Sequence, residues 1–179
     1  LAADGRLFHR RKDVEHISVI IAIGSNLPAD DGASPLQNCE WALRTVASLA
    51  GISGAVRSRW YSSAPWPPSA QPRYINGAMR AAWAGSPEQL LAALQRVELE
   101  AGRKRGVANA ARTLDLDIID MNGLVRSAPA PILPHPRAHL RAFVLAPLRD
   151  IAPSWIHPTL AKTVTKLLAP LDQTDLLPA

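Results

Sequence analysis

Apolar positions along this chain recur with two periods, and the period changes at prolines and glycines. Ser18 to Ile23 is a short, unbroken, β-branched run, which predicts a buried strand ending at Gly24. Leu36, Trp41, Leu43, Val46 and Leu49 then fall at helical spacing. Ser34 supplies a cap, Pro35 suits the first turn and Gly51 is a stop. Ile52 to Ser62 alternates loosely and predicts a second strand. Ala64 to Pro72 holds four prolines, whose fixed φ and missing amide hydrogens demand a loop. Tyr74 to Ala84 predicts a third strand. Ser86-Pro87-Glu88 opens a second helix that runs to about Ala101 and ends at Gly102. A polar loop over 103–111 leads into a fourth strand, Thr113 to Met121, closed by the turn Asn122-Gly123. A short helix around Arg137 to Leu148 and another after His157-Pro158 complete the pattern.

The order β-α-β-β-α-β predicts an α+β fold: a ferredoxin-like α/β sandwich, with an antiparallel sheet and helices packed on one face. Many unrelated activities use this fold, so it names none. Residues 1–17 are polar and expected to be a disordered N-terminal extension or cloning remnant, leaving 18–179 as a single domain. At 179 residues the chain can bury one core.

Composition narrows the picture only slightly. Hydrophobic residues make up 47% and charged residues 20%, and no apolar run reaches the roughly 18–20 residues of a membrane span. The single cysteine, Cys39, rules out an intrachain disulfide, disfavours a thiolate zinc site and fits a reducing, cytoplasmic location. The net charge of +5 favours a polyanionic partner, whether nucleic acid, membrane surface or nucleoside triphosphate, without choosing among them.

Three patterns carry candidate chemistry. In Arg112-Thr113-Leu114-Asp115-Leu116-Asp117-Ile118-Ile119, strand alternation turns Leu114, Leu116 and Ile118 toward a core. It projects Asp115 and Asp117 together from the other face, about 7 Å apart. Carboxylates that close repel unless a hard cation with oxygen ligands joins them, and magnesium shared with phosphate is the usual arrangement. Arg103, Lys104, Arg105 and Arg112 precede this pair, and His135, Arg137 and Arg141 follow it. The planar fork of arginine suits phosphate. Tyr74 and Asn76 share a strand face after the proline loop and could stack on and hydrogen-bond one heterocycle. Trp66 stands inside that loop. His135 and His139, four apart, are a conceivable zinc pair without further obvious ligands.

These segments together resemble the 6-hydroxymethyl-7,8-dihydropterin pyrophosphokinase family. The pieces, in order, are Ile23-Gly24-Ser25-Asn26, Tyr61 to Pro65, Gln71 to Asn76, Gln95 to Glu98 with Gly102-Arg103, Arg112 to Ile118, Pro134-His135, Arg141 to Leu148 and Ile151-Ala152-Pro153. The resemblance implies transfer of diphosphate from ATP to the dihydropterin alcohol, giving AMP, with two Mg2+ ions. It implies Asp115 and Asp117 as metal ligands, with Tyr74 and Phe143 on either side of the pterin ring. Asn76 and Ser63 would lie at the ring's edge, with Gly24 nearby. Arg103, Arg112, His135 and Arg141 would face the triphosphate. Gln95 and Glu98 would lie near the nucleotide, and Leu91 and Ile118 would wall the adenine. No general base is evident. The chain departs from the family in lacking a Trp before Arg112, where Ala108 to Ala111 runs one residue short. It also has Gly106 at a position that can be basic, Pro136 after His135 and Pro67 in the proline loop.

A cytoplasmic monomer with small-molecule substrates, and neither nucleic-acid nor membrane partners, is the expectation. Two rivals are a ferredoxin-like RNA-binding module, which the paired aspartates oppose, and a family member that binds pterin or nucleotide without turnover.

Overall fold

A computed structural model describes residues 16–102 and 111–179. Arg103, Lys104, Arg105, Gly106 and the shortened segment before Arg112 lie outside the described residues except for Ala111, as does the head up to residue 15. The first strand, β1, spans Ile17–Ser25, longer at both ends than its apolar run, and is followed by helix α1, Pro35–Ala47. Ser34 Oγ accepts the Gln37 N–H and Gln37 Oε1 accepts the Ser34 N–H, a capping box that fixes the helix start.

The loosely alternating stretch forms two strands, β2 (Ile52–Arg57) and β3 (Tyr61–Ser63). They separate because Ser58 Oγ takes the Ala78 N–H and Trp60 turns inward against the backbone of Gly77. A Cβ at Gly77 would stand 2.3 Å from the Trp60 ring, so only glycine permits this approach. Strand β4 (Tyr74–Trp83), helix α2 (Pro87–Glu100) and strand β5 (Asp115–Met121) follow. Ser86 and Gln89 repeat the capping box at α2. Gly102, at φ 76°, ends it.

All sheet pairings are antiparallel, in the order β5-β1-β4-β3 with β2 also beside β4. A two-residue strand, β6 (Leu177–Pro178), pairs with β3 and has no counterpart in the apolar pattern. The helix expected over 137–148 is a 3-10 turn, Ala138–Leu140, then α3 (Ala142–Ile151), with Arg141 extended between them. The last helix, α4, is Val164–Leu168. The helices do not keep to one face. One core, built on Ile21, Ile23, Met79, Leu90, Leu94 and Leu116, lies under α1 and α2. A second, containing Ile20, Ala78, Ile119, Leu145 and Leu168, lies under α3 and α4 on the opposite face. Among the described residues no helix is long and apolar enough to cross a membrane.

Candidate functional site

Strand β5 sets the site through its register. Asp115 stands opposite Gly24 and Asp117 opposite Ala22, so both carboxylates leave the face away from α1 and α2. Leu114, Leu116 and Ile118 enter the α1/α2 core, as alternation requires. A bulge opposite Ile20 and Ile21 then breaks the alternation. Asp120 pairs with Ile20, and Ile119 lies in the α3/α4 core. The backbone N–H of His135 donates to Ile119 O at 2.9 Å, fixing the Pro134-His135 segment along the outer edge of β5. His135 Nε2 thereby comes 3.7 Å from Asp117 Oδ2.

A cavity of about 480 Å3 opens over these groups, within the range of small-molecule sites. It brings together Gly24, Ser63, Tyr74, Asn76, Arg112, Asp115, Asp117, His135, Arg141 and Phe143, all proposed from sequence. Asn76 is buried and donates to Ser63 Oγ at 2.9 Å, because β4 is an interior strand and not an edge. Gly24 leaves room beside that amide: a Cβ there would lie 3.6 Å from Asn76 Oδ1. Four further residues are not brought into this cavity. Leu91 and Ile118 pack with the α1/α2 core. Glu98 is buried, accepting the Leu116 N–H at 2.8 Å. Gln95 borders a separate hollow with Leu49, Trp83 and Leu99. The zinc pairing also separates, since His139 packs edge-on against His157 while His135 faces Asp117.

The electrostatics divide the cationic groups by role. Arg112 hydrogen-bonds Asp115 through Nη1. Burial works to lower the Arg112 pKa, but the Asp115 and Asp117 charges outweigh it and the net direction is up. Asp117 is held above the usual carboxylate range, first by burial and then by Asp115. Although its side chain is 40% exposed, that exposure is to a concave floor where protein displaces much of the solvent. His135 is pushed down by burial despite the pull of Asp117. Its Nδ1 accepts the Arg137 N–H at 3.2 Å, so in the neutral ring the proton sits on Nε2, facing Asp117. Arg141 has its pKa lowered by burial and by Arg137, yet a guanidinium stays charged, and it makes no ion pair with a described residue. Tyr74 is raised by burial and by Asp115.

Two carboxylates on one strand face fit a hard divalent cation that completes its shell with phosphate and water. Among the described residues no group of three acidic, His or Cys side chains could hold an ion by protein alone. Burial, and then Asp115, raise the Asp117 pKa, and a divalent cation at the pair would favour its charged form.

Sequence reasoning gave no role to Asn26, a buried clamp. Its Nδ2 donates to Gln71 Oε1 and Pro72 O, both at 3.2 Å, and its Oδ1 accepts the Arg112 N–H at 2.8 Å. One amide thus joins the end of β1, the proline loop and the approach to β5. Asn38 similarly donates from α1 to Leu27 O and Thr113 O. The signal for Asn26 was its place directly after Gly24-Ser25 at a strand end; Asn38 had none, being one polar residue in an amphipathic helix.

The model of the 7,8-dihydro-6-hydroxymethylpterin-pyrophosphokinase family matches residues 20–153. The 2-amino-4-hydroxy-6-hydroxymethyldihydropteridine pyrophosphokinase of Synechocystis sp. is 35% identical over 159 residues, 89% of this chain and 78% of that protein. The Haemophilus influenzae protein of the same name is 34% identical, over 85% of this chain and 91% of its own. The wild-type Plasmodium falciparum HPPK-DHPS crystal structure superposes with a TM-score of 0.67. That match spans 89% of this chain and 45% of the solved one, and at 11% identity it is a likeness of fold.

Proposed function

The chain belongs to the 7,8-dihydro-6-hydroxymethylpterin-pyrophosphokinase family, and we propose that the cavity over β5 is where it moves diphosphate from ATP to 6-hydroxymethyl-7,8-dihydropterin in folate synthesis. The observation that carries this reading is one cavity with two chemistries. Tyr74, Phe143 and the Asn76–Ser63 pair form a flat-ring end. Asp115, Asp117, Arg112, His135 and Arg141 form a polyanion end.

In the reaction the hydroxymethyl oxygen attacks the β-phosphorus of ATP, its proton passes to water, and the bond from the β-phosphorus to the α,β-bridging oxygen breaks, that oxygen leaving with AMP. Tyr74 and Phe143 hold the ring by its faces, and Asn76 reads its edge, so the hydroxymethyl group points toward the aspartates. Arg141 and Arg112 bind phosphoryl oxygens, and His135 donates its Nε2 proton toward the same charge. Asp115 and Asp117 would hold Mg2+, which when bound neutralises charge on the phosphoryl oxygens. Arg103 belongs to this phosphate set by its sequence position. Leu91, Gln95, Glu98 and Ile118 lie outside this cavity, packed in or beside the α1/α2 core, and take no part in this reading. The proposal includes a cytoplasmic monomer; Cys39 is a buried free thiol.

An RNA-binding module of this topology would need a bare sheet face, whereas helices cover both faces here. The test is AMP release from ATP. We expect it only with the dihydropterin alcohol and magnesium together. Binding of both ligands without AMP would identify a non-catalytic binder, and binding of neither would overturn the reading.

A further inference from the structure

Residues 64–70 of the proline loop are held at both ends. Ser63 pairs with Tyr74 in the sheet, and Asn26 grips Gln71 and Pro72. Between these anchors no hydrogen bond among the described residues ties the loop to the body of the protein. Among the described residues its one ring contact is made by Trp66, 45% exposed, whose centroid lies 5.3 Å from the Arg141 guanidinium carbon. The same carbon lies 5.7 Å from the Phe143 centroid.

Arg141 is therefore placed by aromatic rings and not by an acceptor. Its Nε is buried without a hydrogen-bond partner. Asp117 and Asp115 attract it across the cavity, yet neither is within ion-pair distance. A guanidinium resting on a ring keeps its in-plane N–H groups available, whereas one paired with a carboxylate spends them. Without the indole, the balance shifts toward collapse of Arg141 onto Asp117, which occupies both a phosphate donor and a cation-binding carboxylate.

We propose that Trp66 is a positioning residue for the nucleotide: its indole holds Arg141 off the aspartates, with its donors directed into the cavity for phosphoryl oxygens. This rests on the assignment of Arg141 to the phosphates made above. Trp66 acts through Arg141, so its effect belongs to ATP more than to the pterin.

The experiment is a double-mutant cycle read by AMP release, with Trp66→Leu, Trp66→Phe, Arg141→Ala and the double variant Trp66→Leu/Arg141→Ala. Trp66→Leu should raise KM for ATP about 3- to 30-fold, the range spanned by cation–π contacts. KM for the pterin alcohol should change less. Trp66→Phe, which keeps a ring face, should recover most of the loss. In the Arg141→Ala background Trp66→Leu should add nothing. Tryptophan emission should also change when α,β-methylene-ATP with magnesium is titrated into the wild type, and that component should vanish in Trp66→Phe. Equal losses in both backgrounds, or a loss confined to the pterin, would overturn the inference while leaving the catalytic reading intact. A wild type that neither binds the analogue nor releases AMP would overturn both.

Discussion

The two faces of the one sheet are built differently. The face under α1 and α2 is sealed by side chains with almost no exposure, among them Ile21, Met79, Leu90, Leu94 and Leu114. Among the described residues its one buried charge, Glu98, is engaged by a backbone N–H of β5. The face under α3 and α4 also has an apolar core, but among the described residues it carries buried side-chain atoms without a partner, His139 Nδ1, Arg141 Nε and His157 Nε2, while the Trp155 and Asp120 side chains engage each other; Thr113 Oγ1, before β5, is also unmet. Unmet polar groups are costly under a hydrophobic layer, and their concentration on the cavity's side fits a division between a face that stabilises and a face that works.

The sharpest way to break that division is Asp117→Ala. We expect kcat for AMP release to fall roughly a thousandfold, as when a principal charge-stabilising group is removed, with the melting temperature little changed. Near-normal turnover would defeat the metal assignment, and a matching collapse of stability would erase the distinction between faces. Leu94→Ala is the converse. Leu94 is fully buried, so its truncation should cost about 3 kcal/mol in urea denaturation. Both KM values should stay within about twofold while the protein remains folded.

Tyr74→Ala acts within the working face. Losing a ring that stacks on a heterocycle should weaken pterin binding by about 2 kcal/mol, some thirtyfold. ATP binding, measured calorimetrically with α,β-methylene-ATP, should barely move. Equal loss of both ligands would show Tyr74 supporting the cavity as a whole instead of one end of it.

How far these assignments were legible depends on whether each followed from local pattern. Strand alternation alone put Asp115 and Asp117 on one face and Leu116 and Ile118 on the other, and the caps at Ser34 and Ser86 sit where Pro35 and Pro87 announced them. The unbroken apolar run of β1 already hinted that both faces are covered, since a strand with one wet face alternates. The expectation of helices on one face ignored that hint. The bulge that sends Asp120 to the working face, the break at Ser58 and the pairing of β6 depend on distant partners: Ile20, Ala78 and Tyr61. No local period encodes these contacts. The same holds for Asn26, whose partners lie 45 and 86 positions away.

The smallest effect expected concerns pH and isolates the unmet groups of the working face from its catalysis. His157 is buried, and its Nδ1 is oriented as acceptor by the N–H groups of Thr159 and Leu160 and by the Thr159 hydroxyl. Trp155 and His139 pack against its ring. Burial, and then the neighbouring His139, lower its pKa from the ordinary 6.5. The unfolded chain therefore binds a proton more readily than the folded one. The stability contributed by neutral His157 is present in full above about pH 6.5 and is lost as pH falls through the lowered folded value. Asp120, raised by burial, has the opposite sign, losing stability as pH rises through its own folded value, and cannot produce an acid loss in this window. His157→Asn keeps an acceptor near Nδ1 but nothing to protonate. Melting curves from pH 8 to pH 5 should show the wild type losing stability faster than the variant below pH 6.5. Parallel curves would mean that protonation of His157 is as easy in the fold as outside it, and that the unmet groups of the working face carry no cost.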